Sequence, residues 1–109
     1  MTYLINSWNR FSKSVNWTPD NNGCIMWTGG ITSAKYGSIR FKGKRESAHR
    51  VSWFYEYGVM PKKGMVLHHT CEAKYDAGDD TYKRCVNPEH LEEVTQSKNL
   101  WYSHKNGRR

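Results

Sequence analysis

No stretch of this sequence approaches the length of a membrane span. Its first residues, Met1-Thr2-Tyr3-Leu4-Ile5-Asn6, carry neither the basic start nor the apolar run of a secretory signal. The expectation is therefore a protein that works inside a cell and not in a membrane. Cysteine is scarce and odd in number: Cys24, Cys71 and Cys85 are all there is, so any closed disulfide set would strand one thiol. Metal-bound thiolates in a reducing compartment suit that count better than an oxidised framework. Internal repeats and low-complexity tracts are absent as well. Acid is the last shortage, with 10 Asp and Glu against 17 Lys and Arg and a net charge of +7. Such an excess suits a polyanionic partner, because clustered cations release condensed counterions from phosphates. A merely solvated basic surface is the plain alternative.

What is present is aromatic. Five Trp, seven Tyr and three Phe in 109 residues supply much of the area available for burial, enough for one domain with a modest core. A core of this size often needs a staple, and structural zinc is a common one. The domain reads as residues 1–109 in four stretches: a helix and turn over 1–22, a β-ribbon and helix over 24–64, a strand–loop–strand–helix run over 65–105, and a basic tail over 106–109. Ile5, Trp8, Phe11 and Val15 recur at helical spacing from Tyr3 to Val15. The run Thr18-Pro19-Asp20-Asn21-Asn22-Gly23 is turn chemistry, and a strand from Cys24 to Thr28 follows.

The stretch from Tyr36 to Lys42 alternates, with Gly37, Ile39 and Phe41 on one side and Tyr36, Ser38, Arg40 and Lys42 on the other. A turn carrying Lys44 and Arg45 is expected next, then a helix from Ser47 to Tyr57 stopped by Gly58. Trp53, Phe54 and Tyr57 read as packing residues. A two-stranded ribbon with a basic outer face has the width of a DNA major groove. Six basic residues lie between Lys35 and Arg50 against Glu46 alone, so the ribbon reads as a nucleic-acid surface in preference to a solvated face. The candidate contacts are Arg40, Lys42, Lys44, Arg45 and Arg50, joined by Lys62, Lys63 and Lys98. Arg40 or Lys42 would reach guanine edges, and the three lysines phosphates.

Met65-Val66-Leu67 runs as a short strand into His68 and His69. Residues 72–84 read as a solvated insertion without an assigned role. Leu91 to Val94 is the next strand, and Thr95 is an N-cap for a helix from Gln96 to about His104. Cys24, Cys71, Cys85 and His90 make a complete tetrahedral zinc set, since thiolate and imidazole are the ligands zinc prefers. Their spacing is that of no standard finger, and three buried free thiols are the alternative. His69, two residues before Cys71, is a candidate general base. Asn99 offers a hard oxygen suited to Mg²⁺. Each has a plain reading too, as a core histidine and as a polar residue on a helix face.

Taken together, His69-x-Cys71, Cys85-x-Asn87-Pro88-x-His90-Leu91 and Asn99 resemble the HNH, or His-Me finger (ββα-metal), endonuclease superfamily. The similarity is greatest to the His-Cys box homing endonucleases and the small phage HNH endonucleases. Gly23-Cys24-Ile25-Met26-Trp27-Thr28-Gly29, Tyr36-Gly37 and Ala48-His49-Arg50 are companions of the motif, so the similarity runs from about Phe11 to Leu100. The resemblance implies an α+β fold: a small zinc-stapled domain with an antiparallel β-ribbon and a ββα-metal catalytic motif. It assigns structural Zn²⁺ to Cys24, Cys71, Cys85 and His90. His69 becomes the general base, and Asn99 the main ligand of a catalytic Mg²⁺ or another divalent ion. His68 stands where many relatives place a second ligand to that ion, and Arg45 where an arginine meets the scissile phosphate, with Arg40 and Arg50 as rivals. Asn87 is read as the organiser of the Asn-Pro turn. The loop from Cys71 to Cys85 is longer than the family pattern. No long dimerising tail follows the last helix, so nicking by a monomer is expected over cutting by a dimer, with a weak homodimer as the alternative.

The activity implied is metal-dependent hydrolysis of double-stranded DNA to a 5′-phosphate and a 3′-hydroxyl, in the cytoplasm of a bacterium that hosts a phage. A zinc-stapled DNA-binding module without catalysis shares the charge, the ribbon and the zinc ligands. An RNA-binding zinc protein needs only basic charge and exposed aromatics.

Overall fold

The first helix, α1, spans Thr2–Lys13 and turns Ser7 and Phe11, one helical turn apart, into the interior. The computed structural model describes residues 2–106, with side chains from Ser7 onward. Ile5 and most of the basic tail fall outside those side chains. Val15, expected on α1, instead opens a short strand: the Ser14 amide bonds back to the Phe11 carbonyl and the chain then extends. Strand β1, Val15–Asn16, pairs antiparallel with β2, Met26–Trp27, the part of the Cys24–Thr28 stretch that forms a ladder.

Trp27 is the centrepiece of the core at 2% exposure, and glycines make room for it. A Cβ at Gly29 would lie 2.7 Å from its ring, and one at Gly37 2.6 Å from it and 2.9 Å from the Ala48 side chain. Its indole N–H donates to the Gly30 carbonyl at 2.9 Å. The glycines flanking this tryptophan thus serve close packing.

Strands β3, Ser38–Phe41, and β4, Lys44–Ser47, form the expected ribbon, with Ile39 and Phe41 turned to the core. Its turn is Lys42-Gly43, and Lys44 and Arg45 lie on β4 instead of in the turn. Both turn residues have positive φ, at 53° and 82°, the primed geometry that matches strand twist. Lys42 tolerates that conformation with its ammonium 4.7 Å from the Phe54 ring centroid. Helix α2, Ala48–Tyr57, ends as expected at Gly58, which is left-handed and donates to the Phe54 carbonyl. Phe54 packs on the core, whereas Tyr57 is 53% exposed and lies tilted against Trp53 instead of entering it.

The last unit is β5, Met65–His69, paired antiparallel with β6, Leu91–Thr95, followed by α3, Gln96–Lys105. Thr95 caps α3 by accepting from the Lys98 amide. Between the strands, residues 72–84 are in part the solvated insertion expected, with 76–80 exposed, but the segment is anchored at both ends. Two 3₁₀ turns, Thr70–Lys74 and Thr81–Arg84, tie those ends to the interior. Tyr82 is buried and Tyr75 half-buried against the cysteines. A polar composition concealed two aromatic contacts that become useful only once the cysteines converge.

The result is a small α+β protein with, among the described residues, three antiparallel two-stranded sheets. Among the described residues no helix is long and apolar enough to cross a membrane.

Candidate metal centre and histidine site

Four chain segments meet at the cysteines. Asp20 accepts from the amides of Asn22 and Cys24, and Gly23 takes the positive φ of 79° that closes this turn. The Val86 amide donates to the Ile25 carbonyl at 2.8 Å, which sets Cys24 beside Cys85. Asn87 organises the Asn-Pro turn: its oxygen accepts from the Glu89 amide and its nitrogen donates to the Gly23 carbonyl. That turn swings His90 back over the thiols. The 3₁₀ turn after β5 delivers Cys71.

The ligand atoms of Cys24, Cys71, Cys85 and His90 all lie within 4.8 Å of one another, and the three cysteines are buried. His90 Nδ1 is 3.6 Å from the sulfurs of both Cys24 and Cys85. Tetrahedral zinc, with Zn–S near 2.3 Å and Zn–N near 2.0 Å, would set such an edge at about 3.5 Å. Protonation argues the same way. The thiol of Cys71 holds the Cys85 thiolate down at about 5, and that bond pushes Cys71 itself far up. Burial raises Cys24 to about 11. Without a cation, only one of the three thiols ionises readily, so three thiolates require a metal charge to offset them. The donor set fits a metal ion such as zinc.

His68 and His69 are neighbours on β5, so their side chains leave on opposite faces. His68 turns toward α3. Its Nδ1 is 3.2 Å from Asn99 Oδ1, and its ring stacks on Tyr102 at 4.1 Å and 7°. Burial lowers its pKa, while Glu72, Asn99 and Glu92 push back. The structure therefore joins Asn99 to His68.

His69 turns toward the cysteines and α2. It is 3% exposed, and Nε2 is 3.0 Å from the Cys85 carbonyl. A carbonyl only accepts, so Nε2 carries the hydrogen and Nδ1 keeps the lone pair of the neutral ring. Burial pushes its pKa down to about 4. Tyr36, Tyr82 and His49 surround it at centroid distances of 6.0, 5.7 and 4.7 Å. His49 is the neighbour that sequence reasoning missed, except as part of the Ala48-His49-Arg50 triplet. It is buried, Nδ1 lacks a hydrogen-bond partner, and burial beside His69 lowers its pKa well below the usual histidine value.

Most of the basic candidates are exposed: Arg40, Lys42, Lys44, Arg45, Lys62, Lys63 and Lys98. Arg50 is half-buried and ion-paired with Glu46 at 3.1 Å. Arg45 faces a cleft beside Arg10 and Arg40.

Fold and site define a class: a small α+β protein with antiparallel sheets and a Cys₃His group, its three cysteines buried and His90 half-buried, able to hold a metal ion. Among known proteins, 68 residues of the chain are 37% identical to Protein 7.7 of Escherichia phage T7. The match spans 62% of this chain and 45% of that relative. No family model matches the chain, and no solved structure matches it.

Proposed function

We propose that this protein is a metal-dependent DNA endonuclease of the ββα-metal kind, with structural zinc on Cys24, Cys71, Cys85 and His90. One observation carries the reading. The β5–β6 hairpin and α3 set His68 Nδ1 3.2 Å from Asn99 Oδ1, while the adjacent His69 is pinned through Nε2. His68 and Asn99, hydrogen-bonded to each other, would hold Mg²⁺ or a similar ion between an imidazole nitrogen and an amide oxygen. Such an ion, when bound, stabilises the charge that develops on phosphate oxygens.

The chain's own part is proton transfer and orientation. The Cys85 carbonyl fixes His69 in the tautomer whose Nδ1 accepts a proton from water. Tyr36, Tyr82 and His49 hold the ring against rotation. An approaching phosphodiester monoanion raises the depressed pKa of His69, which strengthens it as a base as substrate arrives. Asn99 donates no proton and serves by its oxygen alone. The products of attack at phosphorus with loss of the 3′ oxygen are a 5′-phosphate and a 3′-hydroxyl.

One observation favours a second reading, a zinc-stapled DNA-binding module without catalysis. His69 is 3% exposed within an aromatic box, which also suits a histidine that only closes the core. Cleavage of supercoiled plasmid with Mg²⁺ separates the two, using wild type and a His69→Ala protein of verified zinc content. Cutting by wild type and not by the variant supports the nuclease. Duplex binding by both without cutting, under several divalent ions, leaves the binding module.

A further inference from the structure

Three arginines converge on one cleft between α1 and the ribbon. Arg10 projects from the last turn of α1, and Arg40 and Arg45 are directly paired across β3 and β4. The cleft, about 280 Å³, is also lined by Ser14, Trp27 and Gly30. Among the described residues no acidic side chain pairs with any of the three: the ion pairs are Arg50–Glu46 and Lys83–Asp80. Like charges placed opposite each other on a ribbon repel. Glu46, the nearest acid in sequence, is taken up by Arg50.

The surroundings are built to hold this shape. One Arg10 nitrogen, Nη1, donates to the Arg40 carbonyl at 3.1 Å, which fixes the helix to the ribbon and leaves further N–H groups of the fork for a ligand. The floor is Trp27, held between Gly29 and Gly37. A second cleft of about 190 Å³ adjoins the first and shares Ser38 and Arg45 with it; Thr32, Ser47 and Glu46 complete its lining, the Glu46 carboxylate being held by Arg50. The outer face of the ribbon therefore presents a hydroxyl pair, Ser38 and Ser47, and then a guanidinium pair, Arg40 and Arg45. These pairs are two residues apart, about 7 Å along the strand. Guanidinium forks and hydroxyls are the groups that grip phosphate oxygens. Two adjoining clefts with a shared arginine suit consecutive anions on a polymer better than a single small anion.

The track also points at the histidines. Tyr36, whose ring lies 6.0 Å from His69, leads through Gly37 into Ser38, which lines both clefts.

We infer that Arg10, Arg40 and Arg45, with Ser38 and Ser47, form a clamp for successive phosphates of one DNA strand that runs toward His69. The inference rests on the DNA reading above and deepens it. The clamp grips backbone and not base edges, so Arg40 acts on phosphate, and Arg10 joins the interface from outside the ribbon.

The test is fluorescence anisotropy with two short duplexes of unrelated sequence, on zinc-loaded protein without Mg²⁺, across a salt series. Arg10→Gln and Arg45→Gln are each expected to lower the slope of log K against log salt by about 1, equally for both duplexes. Arg10→Lys is expected to keep the slope but bind more weakly, because the charge remains and the fork is lost. An unchanged slope in a folded Arg10→Gln protein overturns the clamp, as does a loss that differs between the two sequences. Poly-glutamate displacing the duplex as well as competing DNA, charge for charge, also overturns it and points to an acidic protein partner. If the clamp fails while wild type still cuts plasmid in a His69-dependent manner, the nuclease reading survives. If wild type binds no duplex at all, the clamp and the DNA reading fall together.

Discussion

Cys24 should be worth several kcal/mol when metal is bound and little when it is not. It is the one member of the Cys₃His group from the first half of the chain, 47 positions before the next, Cys71. Joining them through a metal closes a loop of that size. The cross-link entropy relation, −2.1 − 1.5R ln n, gives about 4 kcal/mol for such a loop near room temperature. A domain of this size has a total stability of roughly 5–15 kcal/mol, so the effect is large. The substitution to make is Cys24→Ser, which nearly preserves volume in a site with no exposure. Urea unfolding followed by tryptophan fluorescence would be measured for wild type and variant, each zinc-loaded and each after chelation. The expected loss is about 4 kcal/mol in the loaded pair and under about 1 kcal/mol in the chelated pair. Chelation itself should lower wild-type stability by a comparable or larger amount. Equal costs with and without metal would refute the reasoning, since Cys24 would then be only a buried thiol in a packed core.

Gly37→Ala should cost about 1–3 kcal/mol, because its Cβ would meet Trp27 and Ala48, both buried and without slack. A drop in melting temperature of under about 2 °C would contradict the packing argument. Acid should destabilise the protein through His49. Its pKa in the folded state is depressed below the ordinary 6.5, so between the two values the unfolded chain binds the extra proton. Stability is thus present above about pH 6.5 and lost as pH falls toward the folded value. Melting curves from pH 7.5 to 5 should show the decline, and His49→Gln should make it shallower, the buried His69, also depressed, supplying part of the rest; an equally steep slope in the variant would remove His49 as a cause. Asn99→Ala should lower plasmid cleavage by about two orders of magnitude or more while leaving duplex affinity in the absence of Mg²⁺ unchanged. Parallel losses of cutting and binding would instead place Asn99 in the DNA contact.

Residues with a strong local signal were legible in the sequence. Gly58 stops α2, Thr95 caps α3, and the alternation of Ile39 and Phe41 defines the core face of the ribbon. Each is decided by backbone conformation or side-chain period within a few residues, which a linear reading captures. The four metal-ligand candidates were legible by chemistry, since three thiols and an imidazole have few other uses together. What tertiary structure alone decided depends on groups far apart in the chain. Tyr75 and Tyr82 pack at the cysteines only because distant segments bring those cysteines together. His68 and His69, adjacent in sequence, serve different neighbours because a strand sends them to opposite faces. His49 meets His69, and Arg10 meets Arg40, across 20 and 30 positions of chain. No periodicity encodes such meetings. They follow from the packing of α1, α2 and the ribbon around Trp27, whose place is set by the absence of two side chains at Gly29 and Gly37.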